Sequence, residues 1–229
     1  MTSDSEESDA GKALAGAAAV AEVQPGMLVG LGTGSTAAQA IRALGARVAQ
    51  GLAIRAVATS RASEAMARAF GIVMLDFADV PRVDLTIDGA DEIDPRLFAV
   101  KGAGGAMLRE KVVAAASDRM VVIADASKRV AAIGAARVPV EILPFARASL
   151  LGALGDAALR MHNGAPYLTD NRNLIADCRL DLGEPRTIAA WLDAIPGVLG
   201  HGLFLDEVDA AYIADGSVVS RLERDGSPG

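Results

Sequence analysis

Short apolar runs, each too brief for a helix, recur along this chain between helical stretches, and several break off into glycine or ionisable residues. Residues 27–31, 53–58, 72–75, 83–87 and 120–124 read as buried strands. A helical pattern fills residues 10–23, and others follow the strands from the 32–36 loop to about 48, at 61–70, and from the 101–105 loop to about 117. Strands alternating with helices at this spacing predict an α/β fold: a doubly wound, Rossmann-like parallel sheet with helices on both faces. Composition agrees, because 52% hydrophobic residues with only 3% aromatics suits helices packed on a buried parallel sheet.

The pattern changes near residue 134. Residues 137–142 read as strand, 145–161 as helix, 165–169 and 174–178 as strands, 184–195 as helix and 198–205 as strand. That β-α-β-β-α-β order is the ferredoxin-like signature. It predicts a smaller α+β domain over 134–206, with residues 11–133 and 207–224 forming the Rossmann-like domain. Residues 208–214 and 217–222 would return as strands to the first domain. The acidic residues 1–10 and the final residues 225–229 read as disordered tails.

Charge and cysteine content exclude several functions. The net charge is −7 and the cations are scattered, so a sequence-independent grip on nucleic acid is not expected. No apolar run reaches the length of a membrane span. The N-terminal Ser-Asp-Ser-Glu-Glu-Ser-Asp stretch is the opposite of a basic-then-apolar leader, so a cytoplasmic protein is expected. The single cysteine, Cys178, leaves no internal disulfide and reads as a buried thiol.

In open parallel sheets, ligands bind beyond the carboxyl ends of the strands. Three loops lie at such ends. The first, Gly30-Leu31-Gly32-Thr33-Gly34-Ser35-Thr36, lets backbone approach an anion at a helix N-terminus, or is simply a tight turn with a capping Ser. It lacks the Gly-Lys-Ser/Thr of a P-loop, and the next strand ends without the carboxylate that would hold a ribose of a dinucleotide. The second, Asp88-Gly89-Ala90-Asp91-Glu92, offers carboxylates for sugar hydroxyls or proton transfer, for a magnesium ion, or for solvent alone. The third, Lys101-Gly102-Ala103-Gly104-Gly105, places a lysine where negative charge could develop on a substrate oxygen. Beyond it, Glu110 falls opposite Leu108 and Val112 on a helical wheel, which for an isolated charge reads as a surface position.

At these loops the sequence resembles ribose-5-phosphate isomerase, type A. The matching stretches include Gly30 to Thr36, Asp88-Gly89-Ala90-Asp91-Glu92-Ile93, residues 101–111, Asp125-Ala126-Ser127-Lys128, Pro139-Val140-Glu141, Thr169-Asp170-Asn171 and Ile195-Pro196-Gly197-Val198. They keep the family's order from about residue 12 to 214. The resemblance implies that Glu110 is the catalytic base. It implies that Thr33, Gly34, Ser35, Thr36, Asp88, Gly89, Ala90, Asp91, Lys101, Gly102, Ala103, Gly104 and Lys128 bind substrate. Lys12 sits where members carry a lysine near the sugar phosphate. No metal or organic cofactor is implied, and a homodimer or homotetramer is. Ala103 replaces a glycine of the usual triple-glycine loop, and Leu108 stands where Thr is common.

On that resemblance, ribose 5-phosphate and ribulose 5-phosphate would interconvert through an enediol. Asp88 would assist ring opening, Glu110 would carry the proton between C2 and C1, and Lys101 would stabilise the enediolate. Asp91 would hold a hydroxyl, while Lys128, Ser35 and Thr36 would grip substrate. Two other classes compete: a sugar-phosphate sensor without catalysis, and a nucleotide-dependent oxidoreductase. A sensor of the regulator type needs a DNA-reading module, which the acidic stretch ahead of the first helix is not expected to provide. His162 and His201 carry no metal or triad pattern, Trp191 reads as core or interface, and Asp206-Glu207 as solvated charge.

Overall fold

The computed structural model describes residues 2–224, with side chains from residue 8 onward. Seven strands form the main sheet, in the spatial order Val73–Met74, Arg55–Ala58, Leu28–Leu31, Leu85–Gly89, Met120–Asp125, Ala210–Asp215, Val218–Glu223. Every neighbouring pair is parallel except the final hairpin. The chain moves outward from Leu28–Leu31 to the Val73–Met74 edge and then returns to the opposite side of Leu28–Leu31. The switch point therefore lies between Leu28–Leu31 and Leu85–Gly89, where a doubly wound sheet opens its binding crevice. The strands Leu28–Leu31 and Met120–Asp125 are buried throughout, as strands covered on both faces must be.

Helix α1 (Thr2–Val20) and helix α2 (Ser35–Ala49) cover one face of the sheet together. Ala15, Ala19, Ile41 and Leu44 join Val29, Leu31 and Ile87 in the principal core. Helix α3 (Arg61–Ala69) follows the second strand and is capped by Ser60, whose hydroxyl accepts from Ser63 N. Helix α4 (Met107–Ala115) contacts the Leu85–Gly89 strand and, with Val198–His201, the smaller sheet.

That smaller sheet has four antiparallel strands in the order Val198–His201, Val138–Ile142, Leu174–Cys178, Ala157–Leu159. With helix α5 (Arg147–Ala153) and helix α6 (Pro185–Asp193) this is the ferredoxin-like arrangement. A three-stranded sheet, Leu203–Phe204, Ala99–Val100 and Glu92–Ile93, lies between the two parts of the chain.

Several elements differ from the sequence reading. Helix α1 begins at Thr2, inside the stretch read as an acidic tail; the tail assigned to 225–229 lies outside the described residues. The helix expected over 145–161 stops at Ala153, and Gly155 follows in the left-handed region at φ 75°. Ala157–Leu159 then becomes a strand because it pairs with Leu174–Cys178, and tertiary pairing overrides a run that otherwise favours helix. The strand expected over 165–169 is only Ala165–Pro166, paired with Met161–His162. The strand expected over 198–205 divides at Gly202, where a Cβ would sit 2.1 Å from the Lys101 carbonyl oxygen. Trp191 remains 39% exposed on α6 and is not a core residue, whereas Cys178 is fully buried.

Candidate active site

The carboxyl ends of Leu28–Leu31, Leu85–Gly89 and Met120–Asp125 converge on a cleft of about 360 Å³. The first loop, the second loop and the glycine loop all contribute to its walls, joined by Ser8 and Lys12 of α1 and by Asp125, Ser127 and Lys128. Of the site residues expected from sequence, only Asp88 lies behind the wall rather than in it, with no exposed surface.

Asp88 is the penultimate residue of the Leu85–Gly89 strand. Its Oδ1 accepts hydrogen bonds from Thr33 N at 3.0 Å and Gly89 N at 2.7 Å. That closeness explains Gly32, where a Cβ would fall 1.9 Å from Asp88 Oδ1. The other oxygen, Oδ2, lies 2.9 Å from Lys101 Nζ. Lys101 also donates to the Gly89 carbonyl and stands 3.3 Å from Glu110 Oε2. Its own backbone is pinned by Lys101 N donating to Gly202 O at 2.8 Å. Lysine, aspartate and glutamate are all buried: Lys101 is 2% exposed and Glu110 3%.

One ammonium between two buried carboxylates cannot satisfy both. Burial raises the Glu110 pKa, and the negative charge of Asp88 raises it further; Lys101 opposes both and is outweighed. The result is a carboxyl pushed up to about 8. Burial disfavours the Lys101 charge, but Asp88 and Glu110 together overcome it and hold the ammonium above its ordinary value. The site thus combines a firmly charged cation with a carboxylate basic enough to take a proton near neutrality.

Glu110 corrects the helical-wheel reading. It lies on the buried side of α4 with Met107, Val113 and Ala114, while Val112 is 47% exposed. Asp91 turns toward the glycine loop, accepting from Ala103 N at 2.8 Å. Neither Asp88 nor Asp91 stands apart from other partners as a bare acidic pair would. Among the described residues no group of three or more His, Cys, Asp or Glu side chains is placed to hold a metal ion.

In the same cleft wall, Gly34 is the N-cap residue of α2, with φ 102° and no side-chain hydrogen bond. The first-turn N–H groups, beginning with Ser35 and Thr36, are therefore open to an anion. Lys12 bonds Asp9 at 3.0 Å and Lys128 is half-buried on the same cleft. Sequence reasoning singled out neither Thr59, whose hydroxyl meets that of Thr33 at 2.7 Å, nor Asp125 as a wall residue. The Asp125-Ala126-Ser127-Lys128 motif was the signal for the latter. Glu92, the last acid of the second loop, points away and accepts from Gly134 N and Ala136 N. Glu207 is not merely solvated: it pairs with Lys111 of α4 at 2.9 Å.

The family model for ribose 5-phosphate isomerase A (phosphoriboisomerase A) matches residues 55–217. The chain belongs to this family. It is 52% identical over 220 residues to the ribose-5-phosphate isomerase A of Sphingopyxis alaskensis, covering 93% of this chain and 96% of that one. It is 46% identical over 234 residues to that of Dinoroseobacter shibae, covering 96% and 90%. A D-ribose-5-phosphate isomerase in complex with phospho-erythronic acid superposes with a TM-score of 0.91 at 32% identity, covering 95% of this chain and 99% of that one. The ribose 5-phosphate isomerase A of Methanocaldococcus jannaschii gives 0.89 at 34% identity, covering 93% and 97%. A Rossmann-like α/β fold is thus common to the chain and these relatives.

Proposed function

We propose that the chain is a ribose-5-phosphate isomerase that interconverts D-ribose 5-phosphate and D-ribulose 5-phosphate through an enediol. The observation that carries this reading is the buried Lys101–Glu110 pair opening onto a cleft whose wall also holds a helix N-terminus without a side-chain cap bond. The sugar phosphate lies along the cleft with its phosphate against Ser35, Thr36, Lys12 and Lys128, and its C1–C2 end at Glu110.

The furanose opens first. Lys101 gives a proton to the ring oxygen as the ring bond to C1 breaks and takes the anomeric hydroxyl proton in its place, and Asp88 Oδ2, 2.9 Å from its Nζ, assists by holding the ammonium. Glu110 then removes the C2 proton. The electron pair shifts to O1, where Lys101 and the glycine-loop N–H groups meet the negative charge. A proton passes from O2 to O1, Glu110 returns its proton to C1, and the ketose forms. One carboxylate on one face performs both carbon transfers, and Asp91 holds a hydroxyl. No metal or organic cofactor enters, so activity should survive dialysis against a chelator; loss restored by magnesium would move Asp88 and Asp91 to a metal site.

The relatives support an enzyme rather than a sugar-phosphate sensor. The same reading expects a homodimer or homotetramer in the cytoplasm, with no nucleic-acid or membrane partner; light scattering gives the subunit number. No helix among the described residues is long and apolar enough to cross a membrane. Incubation with ribose 5-phosphate and detection of ketose tests the function directly. A folded protein that binds the sugar phosphate and forms no ketose would restore the sensor reading.

A further inference from the structure

Between the two parts of the chain lies a contact that the reaction as described does not use. Arg160 follows the Ala157–Leu159 strand of the smaller sheet. Its Nε donates to Asp177 Oδ2 at 2.9 Å, and its Nη2 to Asp177 Oδ1, a forked pair that fixes the guanidinium plane. Nη1, pointing the other way, donates to the Gly102 carbonyl at 2.9 Å and to the Ala103 carbonyl at 3.0 Å. Arg160 is thus a cation bound to the outer side of the glycine loop, and its side chain is only 16% exposed.

No peptide bond among the described residues is cis. In a trans peptide the C=O and N–H point in opposite directions. The two carbonyls drawn toward Arg160 belong to the peptides that carry the Ala103 and Gly104 N–H groups, so both N–H groups are turned away from Arg160. The Ala103 N–H meets Asp91 Oδ2 at 2.8 Å. The Gly104 N–H has no hydrogen-bond partner among the described residues, and Gly104 lines the cleft across from Thr33. A cation on a peptide carbonyl also polarises that peptide, making its N–H a stronger donor.

We infer that Arg160 is a positioning residue from the smaller sheet, locking and polarising the glycine loop so that the Gly104 N–H serves as a donor to the enediolate. The inference rests on the isomerase reading and adds a job for the ferredoxin-like part: it supplies the charge behind the loop. Tyr167 assists from the same part, its hydroxyl donating to the Gly104 carbonyl at 3.3 Å. Gly105 must be glycine beside it, because its φ is 80° and a Cβ would fall 2.5 Å from the Tyr167 hydroxyl oxygen.

The test uses Arg160→Ala in the full chain, with kcat and KM measured separately for ribose 5-phosphate. Direct removal of an oxyanion donor costs about 10²–10³-fold in kcat; loss of its support should cost about 10- to 100-fold. KM should stay within about threefold, since the phosphate end is untouched. Inhibition by phospho-erythronic acid should weaken in step with kcat/KM, while inhibition by inorganic phosphate should not change. Added ethylguanidinium should restore part of kcat. If Arg160→Ala does not fold, Arg160→Gln, folded by circular dichroism, must show the same split. A folded variant with wild-type kcat would overturn the inference. So would a kcat loss that is matched by lost phosphate inhibition and unmoved by ethylguanidinium, because that describes general damage to the cleft. Wild-type protein inactive on ribose 5-phosphate would instead refute the isomerase reading itself.

Discussion

The Lys101 ammonium stands 3.3 Å from the Glu110 carboxylate, and both side chains are almost wholly withdrawn from solvent. Because Asp88 takes the other side of the ammonium at 2.9 Å, Glu110 receives only part of a cation's support. Burial first, and the negative charge of Asp88 beyond the lysine, outweigh that support and make the glutamate a base.

The activity should follow Glu110's proton. A carboxyl pushed up to about 8 is mostly protonated below that pH and cannot accept from C2. kcat/KM, which reports the free enzyme, should rise with pH as one deprotonation centred near 8. A profile flat from pH 6 to 9 would show that Glu110 ionises in the ordinary carboxylate range.

Stability should move in the opposite direction. The folded chain holds Glu110's proton more tightly than the unfolded chain, whose carboxyl titrates near 4.5. The stabilisation due to that proton is complete below 4.5 and is lost as pH rises through 8. Glu110→Gln has no such loss. Relative to wild type it should gain stability between those limits, by several kcal/mol (on the order of 5) at pH 9. Denaturant melts at pH 4 and pH 9 measure the difference, and a gap that does not widen with pH contradicts the assignment.

Much of this was legible in the sequence. The strand–loop spacing showed a doubly wound sheet, and the glycines at 32, 34 and 102 marked the loops that form the cleft. The buried face of α4 was not legible. A wheel correctly sets Glu110 opposite Val112, but taking Leu108 and Val112 as the core side is wrong, because Met107, Val113 and Ala114 supply the apolar burial on the face that also carries Glu110. Arg160 gave no local signal either. Its partners, Asp177 and the Gly102 and Ala103 carbonyls, are 17, 58 and 57 residues away. The Ala157–Leu159 strand was hidden for the same reason: its pairing partner, not its own residues, makes it extended.

Gly32 offers a steric check on the packing around Asp88. In Gly32→Ala the added Cβ would meet Asp88 Oδ1 at 1.9 Å and the backbone Cα of Asp88 at 2.6 Å, so turning the carboxylate alone cannot relieve the clash. Overpacking of this kind costs about 1–3 kcal/mol or more. Displacement of Asp88 should also lower kcat at least about tenfold. A variant with wild-type melting and turnover would mean that Asp88 is free to move.

The most direct measurement is turnover of ribose 5-phosphate by Glu110→Gln at pH 8, with folding verified by circular dichroism. Glutamine keeps the shape but cannot carry a proton between C2 and C1, and loss of a general base lowers kcat by about 10²–10⁴-fold. That loss, with ribose 5-phosphate still bound, is the predicted result. Near-wild-type turnover by the folded variant would contradict the account, since another group would then be moving the proton.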